Sequence, residues 1–228
     1  MKVTLLNFTP EPEKTIMLAA RLCYSGLSID ELEGKVKGIS VEKFLGKILK
    51  MGHTSVLEHA SFTFGIEGIS RAASHQLVRH RLASYSQQSQ RYVTFDAPEY
   101  VMPPSIGKDA RARKRFEDEL RRICKLYKDL IGSGVPAEDA RFILPNAVCT
   151  KIIVTMNARE LLHFFRLRCC ERAQWEIRGM ACMMLSVAKK EAPFVFRDSG
   201  PACVRGACSE AEMTCGRPKE IRAKFKGL

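Results

Sequence analysis

Apolar side chains recur at helical intervals in several parts of the chain. The clearest case is 108–131, where apolar residues spaced four, three, four and three positions apart lie on one face of a helix: Phe116, Leu120, Ile123, Tyr127 and Leu130. The same periodicity predicts helices at 13–24, 41–51, 69–78 and 173–191. Two more helix starts are indicated by Ser28 and Asn157, each followed three residues later by a glutamate.

Strands are predicted where apolar and polar residues alternate or β-branched residues cluster. The segment 60–68 places every second residue on an apolar face, at Phe62, Phe64 and Ile66. The run 149–156 is rich in β-branched residues, and 92–95 is a shorter β-like segment. Helices and strands are mixed without a repeating strand–helix–strand order, so the predicted fold class is α+β.

From residue 197 onward the pattern changes. The segment 197–228 is rich in glycine, cysteine and charge and shows neither helical nor strand periodicity. We therefore predict one domain at 1–196 followed by a C-terminal tail at 197–228. The tail is expected to be dispensable for assembly and cofactor binding.

Composition and charge restrict the class of protein. The chain has 228 residues, of which 46% are apolar, so it is neither disordered nor fibrous. No apolar run approaches the ~20 residues of a membrane-spanning helix, and the N-terminal sequence does not resemble a signal peptide. The nine scattered cysteines do not indicate a secreted disulfide framework. These features predict a soluble, cytoplasmic protein without a membrane partner.

The formal net charge of +12 favours an anionic partner. Nucleic acid, an anionic membrane surface and a phosphate-bearing small ligand all fit this charge. The charged faces of the 108–131 helix are typical of a solvated helix surface, but they also keep a basic nucleic-acid-binding protein open as an alternative.

The densest polar stretch is RHRLASYSQQSQRY at 79–92, in which twelve of the fourteen side chains can form hydrogen bonds. It follows an apolar helix and leads into a β-like segment, which indicates that both ends are anchored. Arginine forks and serine hydroxyls together suit a phosphate group. The residues by themselves leave a ligand site and a solvated loop equally open.

A second polar cluster lies on the helix after Asn157. At about 100° per residue, Arg159, His163 and Arg166 share one stripe, opposite the apolar residues. Arg168 instead points with the apolar side, where an unpaired guanidinium would be costly. It belongs either to a buried ion pair or to a ligand site.

Motifs for metals and common catalytic centres are missing from the sequence. No two histidines have the HExxH spacing, and Cys203, Cys208 and Cys215 lack a CxxC pair. We therefore predict no metal. No glycine-rich phosphate loop and no GxSxG motif occurs, and no cysteine is marked as a nucleophile.

The 79–92 segment resembles the RHR-x2-S-x4-S-x-R signature of the flavin-dependent thymidylate synthases, with Arg79, His80, Arg81, Ser89 and Arg91 in register and Ser84 between them. The segments 52–59, 140–145 and 157–177 are also similar to family segments and stand in the expected order. The resemblance covers about 13–195 and excludes the tail.

The resemblance implies reductive methylation of dUMP to dTMP, with FAD as cofactor and methylenetetrahydrofolate and NADPH as co-substrates. It also implies a central, mainly antiparallel sheet flanked by helices, and a homotetramer with active sites shared between subunits. The implied catalytic residue is Arg168, which would activate the uracil ring. The implied FAD contacts are His53, Ser55, Arg79, His80, Arg81, Gln87, Asn157, Arg159 and His163. The implied dUMP contacts are Gln76, Arg79, Gln87, Ser89, Gln90, Arg91, Arg141 and Arg168.

Two positions depart from the family pattern. Some members carry glutamate where this chain has Gln87, and an amide residue can stand in place of His163. Besides the nucleic-acid-binding alternative, a flavin-free structural protein that kept only the scaffold also stays open.

Overall fold

A computed structural model describes residues 1–36, 38–95 and 98–228. Its four strands are β1 (Lys2–Phe8), β2 (Ser61–Ser70), β3 (Ala83–Gln87) and β4 (Cys149–Asn157). They form one antiparallel sheet in the order β1-β2-β4-β3. With the surrounding helices this confirms the predicted α+β class.

The helices account for most of the remaining described chain. In chain order they are α1 (Pro12–Leu22), α2 (Ile29–Val36), α3 (Val41–Lys50), α4 (Arg71–Leu77), α5 (Pro104–Gly107), α6 (Ala110–Gly132), α7 (Ala137–Ala140), α8 (Ala158–Arg168), α9 (Trp175–Glu191), α10 (Pro193–Phe196), α11 (Ala202–Arg205) and α12 (Pro218–Lys226). None of these described helices has the length and apolar character needed to cross a membrane.

The predicted helix starts are confirmed by their hydrogen bonds. Ser28 and Glu31 form a reciprocal capping box, in which Ser28 N donates to the Glu31 carboxylate at 2.9 Å and Glu31 N donates to Ser28 Oγ at 3.3 Å. The Asn157 side chain accepts from Glu160 N at 2.9 Å and caps α8. These caps satisfy backbone N–H groups that have no partner within their own helix.

The chain divides into two compact units. The first contains residues 1–2, 66–79 and 85–153, and the second contains residues 3–65, 80–84 and 154–228. In the second unit, Phe62 of β2 and Phe165 of α8 both meet Phe196 edge-to-face, with ring centroids 5.5 and 5.8 Å apart. In the first unit, α6 buries Leu120 and Tyr127 and exposes most of its charged residues.

One strand prediction needs correction, and one strand was missed. The segment 92–95 is a turn and loop rather than a strand, and Val93 N donates to Ser89 O at 3.1 Å. The strand lies earlier, at β3, which has no apolar alternation. It forms because its end pairs with β4, where Gln88 N donates to Lys151 O at 2.9 Å.

The C-terminal segment is folded, so the absence of periodicity at 197–228 was misleading. Helix α12 buries Ile221 and Phe225, and Lys189 of α9 donates through Nζ to Phe225 O at 2.8 Å. Arg222 Nε donates to Cys203 O at 2.7 Å and ties α12 to α11. Two apolar residues four positions apart are too few to give a periodicity signal, but when buried they are enough to anchor one turn of a helix.

Candidate functional site

Three polar side chains of the second unit form a hydrogen-bonded chain. His80 is 5% exposed, and its Nδ1 lies 3.0 Å from Oε1 of Glu160, which is 6% exposed. Arg168 donates through Nε to His80 Nε2 at 3.1 Å. Arg168 is half-buried, as its position on the helical wheel predicted, and a shared imidazole separates it from the buried carboxylate.

The arginine determines the tautomer of His80. A guanidinium donates and never accepts, so His80 Nε2 must be the unprotonated nitrogen and Nδ1–H must donate to Glu160. Burial lowers the pKa of His80, while the hydrogen bond to Glu160 opposes this shift. Burial also lowers the pKa of Arg168, which remains a cation because its ordinary value is so high. The result is a neutral imidazole between a carboxylate and a guanidinium.

Helix α8 supplies two of the three hydrogen-bonded side chains, Glu160 and Arg168, from one of its faces. Glu160, Phe164 and Arg168 stand four residues apart, so they lie one above the other. The Phe164 ring meets the His80 ring edge-on, with centroids 4.9 Å apart. Sequence analysis assigned Glu160 only to the helix start and missed its second role. Its spacing of eight residues from Arg168 was the available signal.

The other polar stripe of α8 faces outward, as predicted. Arg159 and His163 are exposed, and Arg159 forms an ion pair with Glu58. The His163 ring lies edge-on to the His80 ring, with centroids 5.8 Å apart. His163 therefore lies beside the hydrogen-bonded side chains of His80, Glu160 and Arg168, on the side that faces solvent.

Four further candidates are close to the surface, namely His53, Ser55 and Arg81 of the second unit and Arg79 of the first. The Nδ1 of His53 lies 3.2 Å from the hydroxyl oxygen of Tyr24, and Ser55 begins a short 3₁₀ helix. Arg79 and Arg81, which flank His80 in sequence, are both exposed. Neither guanidinium pairs with a carboxylate in the described part of the chain, so each carries an unneutralised positive charge.

Arginines also gather in the first unit. Arg91 forms an ion pair with Glu138 at 2.8 Å, and Arg141 donates through Nε to the backbone oxygen of Glu138 at 3.1 Å. Arg71 is half-buried, and its pKa is lowered by burial and, to a smaller extent, by the charge of Arg141. Like charges held together favour an anion. Arg71 was missed because it stands alone within a helical stretch.

Gln87, where some family members carry an acid, is adapted to its neighbours as an amide. Its Nε2 donates to Ser74 Oγ at 2.9 Å and to Thr150 Oγ1 at 3.2 Å. Ser74 and Thr150 are buried, and the Ser74 hydroxyl donates to Arg71 O at 2.9 Å. The Ser74 oxygen is therefore free to accept a hydrogen bond, which an amide at position 87 can donate and a carboxylate there could not. A ligand at this position is left with the Gln87 oxygen.

Three further candidates of the first unit lie near this amide or the arginines. Gln76 donates to Ala72 O at 3.5 Å within α4. Ser89 accepts through Oγ from Arg91 N at 3.1 Å, and Gln90 between them is half-buried. The turn at 89–91 thus holds a hydroxyl, an amide and a guanidinium on adjacent residues.

Six of the twelve charged side chains of α6 are paired along the helix. Arg113 pairs with Glu117 at 2.9 Å, and Arg122 pairs with Glu119 at 3.0 Å. Such pairs are typical of a solvated helix face rather than of a nucleic-acid interface. Among residues 1–36, 38–95 and 98–228, no group of three or more His, Cys, Asp or Glu side chains is arranged to hold a metal ion. All nine cysteines are thiols.

Comparisons with known proteins agree on one family. Residues 4–194 match the family model described as thymidylate synthase complementing protein. The chain is 60% identical over 230 residues to a flavin-dependent thymidylate synthase of Geobacter sulfurreducens, covering 100% of this chain and 99% of the relative. It is 48% identical to the flavin-dependent thymidylate synthase of Clostridium tetani, over 97% of this chain and 96% of the relative. Its identity to the Pyrococcus furiosus enzyme of the same name is 49%, over 99% of this chain and 97% of the relative.

Proposed function

The chain belongs to the flavin-dependent thymidylate synthase family, and from this premise we propose how its own side chains serve the reaction. The protein methylates dUMP to dTMP and uses FAD. In this family the carbon comes from methylenetetrahydrofolate, and bound FAD, once reduced by NADPH, supplies the hydride. The comparisons give no support to the nucleic-acid-binding alternative.

We assign the catalytic role to Arg168. A guanidinium beside the pyrimidine ring stabilises negative charge that develops there, which makes carbon five of the ring nucleophilic without attack by an enzyme thiol. The hydrogen bond from Nε to His80 fixes the plane of the guanidinium, so its orientation does not depend on the substrate. The observation that carries this assignment is a half-buried arginine held by a neutral, buried imidazole.

His80 and Glu160 then act as positioning residues. Both ring nitrogens of His80 are engaged, one with Glu160 and the other with Arg168. We therefore propose that the His80 side chain serves the site through Arg168 rather than by contacting FAD itself. Glu160 keeps the imidazole in the tautomer that Arg168 requires.

The phosphate of dUMP is assigned to the arginines of the first unit. Arg91 and Arg141 are candidates from the sequence, and we add Arg71, a half-buried arginine whose pKa is lowered by burial and by the charge of Arg141. The Glu138 carboxylate holds Arg91, and phosphate would share this guanidinium with it. The other proposed dUMP contacts are Gln76, Arg79, Gln87, Ser89 and Gln90, with Gln87 acting through its oxygen.

The chemistry of the donor set fits FAD. Arg79 and Arg81 offer unpaired cations for a pyrophosphate, which the chain must bind with side chains because it has no glycine-rich loop. The outward stripe of α8 adds Arg159 and His163, and the cap residue Asn157 stands at its start. We propose these residues, with His53, Ser55 and Gln87, as the cofactor contacts.

We further propose a homotetramer whose active sites are shared between subunits, as the family resemblance implies. In domain terms, we propose that 1–196 is the family domain and 197–228 an extension packed on α9. Light scattering of the intact protein tests the assembly.

The function is tested on the purified protein. A flavin absorption spectrum, release of intact FAD on denaturation, and dTMP formation from dUMP, methylenetetrahydrofolate and NADPH are the expected results. A colourless protein that fails to bind added FAD would contradict the proposal and would favour the flavin-free scaffold.

A further inference from the structure

Three lysines on one face of α3 pair with none of the carboxylates among the described residues. Lys43, Lys47 and Lys50 are exposed and stand four and three residues apart, so they share a face. At a rise of about 1.5 Å per residue, successive lysines advance by about 6 and 4.5 Å along the helix. None of the three forms an ion pair within the part of the chain that the structure describes. They form a row of regularly spaced, unneutralised ammonium groups.

This row lines a groove of about 960 Å³ in the second unit. Arg197 and Arg205 add two cations to its wall, and Glu42 and Asp198 are its carboxylates. Glu42 is already paired with Arg197 at 2.8 Å. Five cations against two carboxylates leave the lining with a formal charge of +3. A groove of this kind suits a flexible ligand that carries several negative charges.

A smaller cavity lies next to the groove. This cavity, of about 360 Å³, is lined by Tyr24, Phe44 and other residues and shares Lys47 and Met51 with the groove. The Tyr24 hydroxyl lies 3.2 Å from His53 Nδ1. Tyr24 therefore connects this cavity to His53, and Lys47 connects it to the lysine row.

We propose that this groove binds the poly-γ-glutamate tail of methylenetetrahydrofolate. The inference rests on the proposed function, which supplies a folate as co-substrate. Each γ-linked glutamate adds one carboxylate at an interval of several ångströms, comparable to the spacing of Lys43, Lys47 and Lys50. The aromatic cavity beside Tyr24 precedes the cations, as the aromatic portion of a folate precedes its glutamates.

The groove is less suited to single-stranded nucleic acid. Such ligands combine a basic track with aromatic side chains on which bases stack. Phe194, the aromatic residue in the described lining of the groove, lies beneath the Arg197 guanidinium at 5.1 Å. A polymer of carboxylates needs no aromatic surface for stacking, and the lysine row by itself supplies the complementary charges.

The first test compares the monoglutamate and pentaglutamate forms of methylenetetrahydrofolate as substrates. The KM of the pentaglutamate is expected to be about tenfold lower for the unmodified protein, from three exposed charge pairs of ordinary strength. In the triple variant Lys43→Gln, Lys47→Gln, Lys50→Gln the two KM values should agree within about twofold, with kcat and the KM for dUMP unchanged. The preference of the unmodified protein should also weaken at high salt.

A matched control removes the same charge elsewhere. Lys114, Lys190 and Lys219 are exposed, line neither cavity and are assigned to no part of the site. The variant with all three changed to glutamine should keep the preference for the pentaglutamate. Equal KM values for both folates in the unmodified protein would overturn the proposal, and so would an equal loss of preference in both triple variants.

Direct binding separates this proposal from the proposed function. Fluorescein-labelled penta-γ-glutamate should bind the unmodified protein in a fluorescence anisotropy titration, and the groove variant should bind it at least about tenfold more weakly. Turnover of monoglutamate without tail binding would overturn the groove and leave the proposed function intact. Tail binding without any turnover would support the groove and count against the proposed function. Displacement of the bound tail by a single-stranded oligonucleotide at lower concentration than unlabelled pentaglutamate would overturn the assignment to folate.

Discussion

Replacing Glu160 with alanine should disable Arg168 without touching it. The His80 Nδ1–H would lose the acceptor 3.0 Å away, and His80 is only 5% exposed, so water cannot take its place freely. A buried donor without a partner costs about 1–3 kcal/mol. The imidazole could then protonate Nε2 instead, and that N–H would oppose the Arg168 N–H. The guanidinium would lose the contact that fixes its plane.

Three measurements test these consequences. The free energy of unfolding, from urea denaturation, should fall by about 1–3 kcal/mol. The kcat/KM for dUMP should fall by about 100-fold, since a misplacement near 1 Å costs about that much. The nitrogen chemical shifts of His80 should show the Nδ1–H tautomer in the unmodified protein and a mixture in the variant. Glu160→Gln keeps an acceptor oxygen, so it should recover most of the activity.

A control separates stability from positioning. Gln174 caps α9 by accepting from Glu176 N and Ile177 N, in the same unit, and it is not one of the residues assigned to the site. Gln174→Ala should lower the free energy of unfolding by about 1 kcal/mol and leave kcat/KM unchanged. The reasoning is refuted if Glu160→Ala keeps its kcat/KM, or if Glu160→Gln is as inactive as the alanine variant.

Three further predictions concern the site and the C-terminal segment. Arg168→Ala should lower dTMP formation by at least two orders of magnitude, about 2.7 kcal/mol, and the FAD content of the same preparation should be unchanged. Near-normal turnover would reject the assigned role. Loss of FAD would favour a purely structural role for Arg168. Phe225, 1% exposed, anchors α12, so Phe225→Ala should cost about 3–5 kcal/mol in urea denaturation, whereas a cost below about 1 kcal/mol would show that 197–228 does not contribute to stability. Because burial lowers the pKa of His80, the unfolded chain binds more protons below about pH 6.5, and stability should fall on acidification from there until the folded pKa is reached. A His80→Gln variant should show a smaller loss of unfolding free energy between about pH 6.5 and 5, and an identical loss would contradict the assignment.

Sequence periodicity identified the elements that bury one continuous face. Helices α1, α3, α6 and α9 and strands β2 and β4 were all predicted, because each carries its apolar residues at the interval of its own geometry. The capping residues Ser28 and Asn157 marked two helix starts, since a side chain that bonds its own helix end acts locally. The position of Arg168 on the apolar side of α8 was also readable. Each of these signals can be recognised within about a dozen consecutive residues.

The features that only the tertiary structure decided depend on contacts between residues that are far apart in sequence. Strand β3 has a polar sequence and becomes a strand because β4 offers it hydrogen bonds. Helix α12 has two buried residues and is held in place by hydrogen bonds to residues outside it, from Arg222 to Cys203 O of α11 and from Lys189 of α9 to Phe225 O. His80 stands 80 residues from Glu160 and 88 from Arg168. No local pattern records that these three side chains meet, since their pairing follows from packing α8 against the 80–84 segment. The chemistry at Arg168 was therefore visible in the sequence, while the buried chain that orients it was not.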